Sequence, residues 1–293
     1  MKKRKLEDLN LLDDFLFGAM VSYPGIGEDF VRKILEVIFA KPFGKLTVVA
    51  QKVYPGMDTD MHGARLDVYI EENAESNSES AATVYDVEPD KNLKDIKNIP
   101  LRVRFYHAKI DAGSLKSGES YRMLKKVVVI MITPYDPFGL GHMVYTIRSK
   151  CEEIPDLPYD DGARTVFLYT KGTEGNPPKS LKQFLHYMEH PTEENAVTEA
   201  LHSIHQMVSQ VVHDKEVSLQ YMKIFEREEM LVQQGIEQGK KEEQENTERE
   251  YRRAEQEKAR AEQEKTRADL EKLRADRLEK EIIYLKRQIN NEI

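Results

Sequence analysis

The chain has a single cysteine, Cys151, so no internal disulfide can form. Apolar runs are short. Val127–Ile132 is typical, far below the ~18–20 residues of a membrane span, so neither a transmembrane protein nor a disulfide-stapled secreted domain is expected. The opening Met1-Lys-Lys-Arg-Lys5 is basic, but Leu11-Leu12-Asp13-Asp14 brings charge into the next stretch. No signal-peptide core is therefore expected, and a reducing cytoplasm, with nucleoid association as a variant, is the expected location. A P-loop and a dinucleotide-binding glycine fingerprint are both missing. A basic coat is missing too: 44 Lys and Arg face 52 Asp and Glu, a formal charge of −8. At 293 residues the chain is nonetheless long enough to bury a substantial core.

Charge is unevenly spread. From Lys240 to Ile293 there are 15 basic and 15 acidic residues, so the whole −8 belongs to residues 1–239. The tail carries a seven-residue repeat, Ala254-Glu-Gln-Glu-Lys-Ala-Arg260, Ala261-Glu-Gln-Glu-Lys-Thr-Arg267 and the looser Ala268-Asp-Leu-Glu-Lys-Leu-Arg274, with no Gly or Pro after Gly239. Pairs such as Glu257–Arg260 and Arg253–Glu257 would each add ~0.2–0.5 kcal/mol to a helix. Leu278, Ile282, Leu285 and Ile289 follow the 4-3-4 spacing of a coiled-coil seam. A long solvated helix is predicted, with a homo-oligomer held through it as one reading and a lone charged helix as the other.

The body alternates element types. Asp29–Phe39 has one apolar face and stops before Pro42, which predicts a helix. Strand-like runs come next at Leu46–Tyr54, Arg65–Glu71 and Thr83–Glu88, then a helix from Ile99 or Pro100 to Ile110 with proline in its first turn. Val127–Ile132 reads as a strand buried on both faces. Met143–Ile147 and Thr165–Tyr169 read as further strands, and beyond Pro178 the chain reads as helical. This order predicts an α/β or α+β fold. The expected parts are a domain over 1–190, a helical extension over 191–239 and the charged helix over 240–293.

The most informative stretch is the pair Arg65-Leu-Asp-Val-Tyr-Ile70 and Thr83-Val-Tyr-Asp-Val-Glu88, joined by a polar linker. A hairpin symmetric about Asn77 and Ser78 sets Asp67 opposite Glu88. Alternation then groups Asp67 and Tyr69 with Asp86, Glu88 and Asp90 on one face, and Leu66, Val68, Ile70, Tyr85 and Val87 on the other. Opposed carboxylates repel, and water or a cation offsets that cost. One reading is a solvated strand face; the other is a Mg²⁺ site (Mn²⁺ as substitute), since hard cations take oxygen ligands and assist phosphodiester hydrolysis. Residues 91–126 hold ten basic groups against three acidic ones, suited to phosphate beside such a site.

At these residues the chain resembles the PD-(D/E)xK nuclease superfamily, specifically its transposase, or recombination-promoting nuclease, branch. The pieces are Asp13-Asp14-Phe-Leu-Phe-Gly18, His62-Gly-Ala-Arg-Leu-Asp-Val-Tyr69, Tyr85-Asp-Val-Glu88, Arg102-Val-Arg-Phe-Tyr-His107 and Val127-Val-Val-Ile130, spread in the family's order over roughly residues 10–190. The resemblance implies a restriction-endonuclease-like αβββαβ core and Mg²⁺-dependent DNA cleavage. It implies that Asp67 and Glu88 bind metal, joined by Asp90, that Asp14 is an auxiliary acid, and that Arg102, Arg104 and Tyr106, with Lys94 and Lys97, meet DNA. One departure stands out. The family places Lys or Gln two residues after the Glu, whereas Glu88-Pro89-Asp90-Lys91 has Asp there. This leaves three outcomes: Lys91 swings in through a bulge at Pro89, Lys94 or Lys97 supplies the charge, or the protein is a catalytically weak DNA- or protein-binding module.

Other constellations compete. His186-Tyr-Met-Glu-His190 matches an inverted zinc-peptidase pattern, although Pro191 ends the helix at once. Asp14 could equally cap a helix over Phe15–Met20. Cys151 lies against Glu152 and Glu153, which disfavours a thiolate nucleophile.

Overall fold

The computed structural model describes residues 5–55, 63–72 and 82–291, and it is a mixed α/β fold. The predicted linker tip at Asn77 and Ser78, and His62, lie outside the described residues. The chain divides into two units, Met1–Lys223 and Ile224–Ile293.

In the first unit two helices, α1 (Asp14–Ser22) and α2 (Gly27–Phe39), precede three strands, β1 (Leu46–Tyr54), β2 (Ala64–Glu72) and β3 (Thr83–Pro89). Helix α3 (Ile99–Ser114) then leads to β4 (Lys126–Thr133), β5 (Val144–Ile147) and β6 (Ala163–Tyr169), followed by α4 (Lys179–Glu189) and α5 (Glu199–Val212). The six strands form one sheet in the order β1-β2-β3-β4-β6-β5. Neighbours in β1-β2-β3 run antiparallel, β3-β4-β6 run parallel, and β5 closes the edge antiparallel. The α2-β1-β2-β3-α3-β4 sequence of elements is the αβββαβ order expected from the pattern of the chain.

Each face of the sheet carries its own core. Val68, Ile70, Tyr85, Val87, Ile130 and Leu168 pack beneath α1, α2, α4 and α5. Tyr69, Val84, Val129, Met131 and Phe167 pack beneath Ile99, Val103 and Ile110 of α3. Strand β4 is covered on both sides, which is why its run is continuously apolar. Burying each such side chain contributes roughly 1.5–3 kcal/mol. Helices α1 and α2 meet at Gly27, where a Cβ would fall 1.9 Å from the carbonyl oxygen of Val21; only glycine fits.

The β2–β3 register pairs Val68 with Val87, Tyr69 with Asp86 and Ile70 with Tyr85, as the hairpin symmetry predicts. The simple two-face alternation fails at one place. Leu66 packs with Tyr69 under α3 rather than with Val68. Opposite it, Val48 and Ala50 of β1 face the α1/α2 core, whereas Lys52 and Tyr54 lie against Tyr69. Both strands exchange faces between these residues, at Gln51, whose φ of 50° is left-handed and which drops out of the β1–β2 ladder opposite Asp67.

Helix α6 runs from Lys215 to Asn291. Its early residues Val217 and Tyr221 belong to the first unit's core, with the Tyr221 ring 5.1 Å from that of Phe15. The second unit is helix alone. Ion pairs Arg249–Glu245, Arg252–Glu248 and Arg267–Glu271 at 3.6 Å lace its surface one turn apart, and Leu270, Leu273, Leu278 and Ile282 are exposed on it. No helix among the described residues is long and apolar enough to cross a membrane.

Candidate active site

Carboxylates gather where β2 and β3 leave the sheet beside α1 and α3. Asp86 and Glu88, two apart on β3, project to the α3 face; Asp86 is wholly buried and Glu88 and Asp90 nearly so. The backbone N–H of Asp67 donates to Oε1 of Glu88 at 2.6 Å, tying the two predicted acids together across the hairpin. Asp67 sits at the point where β1 and β2 exchange faces, and it is only partly buried. Asp14 is the first residue of α1, and its charge raises the pKa of Asp67. The helix cap is Asp13, which accepts from the Phe15 N–H at 3.2 Å, so the expected capping role falls one residue earlier and leaves Asp14 turned toward the acids.

The electrostatics are those of crowded, desolvated anions. Burial, then the charge of Asp14, pushes Asp67 up to about 6. Burial is also the main cause that holds Glu88 well above the carboxylate range, with Asp86 and Asp67 adding to it. Asp86 is raised for the same first reason. Apart from the Glu88 carboxyl, neither oxygen of Asp86 meets a hydrogen-bond partner among the described residues. Its carboxyl faces that of Glu88, and each biases the protonation of the other. Asp14 is raised by burial, Asp13 and Asp90, and lowered by Lys91 and Arg65.

Cations ring this cluster, and not all are those expected. Arg102 forms an ion pair with Oδ2 of Asp90, reaches Asp95 at 3.6 Å, and lowers the pKa of Asp67. Arg65, beside Asp67 on β2, acts on both Asp67 and Asp14; sequence reasoning gave it no role. Tyr106, one turn after Arg102 on α3, is half-buried against the same acids, and burial raises its phenol. Lys91 reaches the cluster from the other side, with Nζ 3.5 Å from Oδ2 of Asp13. It does so without a bulge. The β3–β4 register stays constant through Pro89, and the Asp90 N–H still bonds the Ile132 carbonyl at 2.9 Å.

Three expected residues stand apart. Arg104 is exposed on another flank of α3, lining a cleft with Arg148 and Arg164. Lys94 and Lys97 are exposed on a short 3₁₀ segment, Leu93–Asn98, and among the described residues neither forms an ion pair with the acids. Asp90 has both oxygens engaged, Oδ1 by the Asn92 N–H at 2.6 Å and Oδ2 by Arg102, so it holds Arg102 in place.

Among the described residues no three His, Cys, Asp or Glu side chains converge into a ready metal cage. Mg²⁺ is commonly held by one or two carboxylates with waters completing its shell. The donor set here fits that mode: the oxygens are hard, Asp86 has no partner among the described residues other than Glu88, and Asp67 and Glu88 are adjacent. The zinc-peptidase pattern does not assemble among the described residues. Glu189 turns away to Thr170 and Lys171, while His186 and His190 are exposed.

No family model, no curated protein and no solved structure matches the chain.

Proposed function

We propose that the chain is a Mg²⁺-dependent DNA endonuclease of the PD-(D/E)xK transposase type. The observation that supports this reading is the convergence of Asp67, Glu88 and Asp14, from two strands and a helix, with Arg65, Arg102 and Lys91 around them. Asp67 and Glu88 would hold the ion, which when bound supplies Lewis-acid stabilisation of charge on the phosphoryl oxygens.

The chain's own groups divide the remaining work. Asp14, made more basic than a free aspartate by burial and by the charges of Asp13 and Asp90, is the candidate to take a proton from an attacking water. Arg102 and Arg65 offer fixed positive charge to the phosphate, Arg102 being oriented by Asp90. Lys91, 3.5 Å from Asp13 and close enough to lower the pKa of Asp14, would supply the charge of the motif's lysine. Tyr106 packs beside the acids and narrows water's access to them.

A second reading draws on the same pairings. Lys91 is engaged by Asp13, and the motif's third place is an aspartate committed to Arg102, an arrangement that also suits a nuclease-like module that binds DNA with little cleavage. The test is incubation of supercoiled plasmid with purified protein in Mg²⁺ and in Mn²⁺, beside Asp67→Ala. Metal-dependent nicking lost in the variant supports the nuclease; DNA retention without nicking in either metal supports the module. The exposed apolar positions of the charged helix support assembly into a homo-oligomer.

A further inference from the structure

Helix α3 has two working flanks. Arg102 and Tyr106 face the acids, whereas Pro100, Val103, Arg104 and His107, spaced as one helical stripe, line a separate cleft of about 400 Å³ against β5 and β6. In the sheet register Glu88 aligns with Met131 and Met131 with Phe167, so the cleft lies two strands, roughly 10 Å, from the acids.

The cleft has three chemical parts. Its floor is apolar and aromatic: Val103, Phe138, Ile147 and Phe167, with the Phe138 and Phe167 rings edge to face at 5.1 Å. Its rim carries Arg104 and Arg148, neither of which has a carboxylate partner within ion-pair distance among the described residues; Arg164 alternates with Thr165 and Phe167 along β6, and its charge acts on Tyr85 on the other face of the sheet. At its back His107 bonds the Thr165 hydroxyl at 3.0 Å through Nε2, while its buried Nδ1 has no partner. Burial keeps this imidazole neutral at pH 7, so Nδ1 is free to meet a polar atom of a ligand.

An apolar slot with guanidinium groups on one rim and a single unsatisfied polar atom inside is complementary to a flat heterocycle that bears an anion. Guanidinium forks match phosphate oxygens, and aromatic edges and faces hold a base. The volume falls within the range of small-ligand sites. We propose that this cleft binds one nucleotide, its base over Phe138 and Phe167 and its phosphate on Arg104 and Arg148. That chemistry has two sources: a free nucleotide, or one nucleotide unit of a single strand. The inference needs only the cleft and stands whether or not the acids cleave DNA.

The test is calorimetric titration of the full-length protein in EDTA with each deoxynucleoside 5′-monophosphate, with inorganic phosphate and with an eight-residue thymidine oligonucleotide. At least one nucleotide probe binds with a dissociation constant below about 1 mM. The exposed-rim double variant Arg104→Ala/Arg148→Ala weakens it at least tenfold, and His107→Phe, which keeps the floor apolar, weakens it severalfold. Asp67→Asn, in the acid cluster, leaves it unchanged, so a failed nuclease reading and a failed cleft reading are told apart. Oligonucleotide binding displaced by monophosphate identifies a strand as the source; monophosphate binding alone identifies a free nucleotide. No binding of any nucleotide probe, equal binding by the double variant, or inorganic phosphate binding as tightly as the nucleotides overturns the proposal.

Discussion

The main-chain N–H of Asp67 donates to Oε1 of Glu88 at 2.6 Å. A backbone donor on one strand thus orients the acid on the next, while the Asp67 side chain stays available at the bend of β2. Because the donor is backbone and an amide oxygen can replace the acceptor, isosteric substitution of either side chain can separate chemistry from folding.

Asp67→Asn keeps that N–H, and Glu88→Gln keeps an oxygen to accept it. Both are expected to lower Mg²⁺-dependent cleavage at least ~100-fold, the scale of losing one well-placed electrostatic group. Glu88→Gln also replaces the proton that the Glu88 carboxyl shares with Asp86 by a fixed amide donor. Stability in EDTA should therefore stay within about 1 kcal/mol of wild type or rise. Urea denaturation and plasmid nicking on the same preparations check both halves; a destabilised Glu88→Gln protein contradicts this account of the buried pair.

The same crowding sets a pH dependence. Asp67 has a folded pKa of about 6, above the ~3.9 of an unfolded aspartate. The folded state therefore holds the proton more tightly. Its contribution to stability is complete below about pH 4 and is lost as pH rises through about 6. His107 acts in the opposite direction. Burial lowers its pKa, so its contribution is present above the ~6.5 of an unfolded histidine and is lost as pH falls through the lower folded value. The difference between wild type and Asp67→Asn isolates the first effect. In EDTA the wild-type unfolding free energy should fall relative to the variant between pH 4 and pH 7, by at most about 1.4 kcal/mol per pH unit. Parallel curves would remove Asp67 from the raised-pKa cluster.

Arg102 compensates a nearly buried Asp90 and extends its charge to Asp67. Arg102→Met leaves Asp90 without its counter-charge. Breaking a buried pair costs ~3–5 kcal/mol, and because a quarter of the arginine is exposed the expected loss is about 2–3 kcal/mol. Adding Asp90→Asn should recover part of it. A double-mutant cycle by thermal denaturation gives the coupling directly, and purely additive losses would contradict the pairing.

How much of the fold and of the site is legible in the chain depends on distance along it. The β2–β3 register follows from local alternation and hairpin symmetry, and it places Asp67 against Glu88. Strand β4 is visible because burial on both faces leaves an unbroken apolar run. The face exchange that moves Leu66 is hidden, because it arises from the left-handed backbone of Gln51 on a different strand. The destination of Lys91 is hidden too: alternation says which face a residue leaves from, but its partner Asp13 comes from a helix packed there only in the folded protein. Arg102 and Arg104 are two residues apart and so diverge on a helix, which separates Arg104 from the acids and turns it toward the cleft. Arg65 stands inside the His62–Tyr69 stretch, but its role is hidden because it depends on the proximity of Asp14 and Asp67 together.

The charged helix offers a last test. Its surface ion pairs lie along the helix itself, each contributing about 0.2–0.5 kcal/mol, and they explain why the segment is helical without requiring a partner. They do not explain why Leu278 and Ile282, four residues apart, are left 59% and 50% exposed on one side of it. Apolar side chains at that spacing gain most when a second helix covers them. Leu278→Lys with Ile282→Lys places charge in that seam without removing helix-forming residues. If copies associate there, light scattering should show the full-length protein as an oligomer and the double variant as a monomer, with helical content by circular dichroism nearly unchanged. Raising the salt concentration should leave the wild-type oligomer intact, since an apolar seam is not screened, whereas assembly through the charged faces would weaken. An identical mass for wild type and variant would leave the helix a solitary, solvated element.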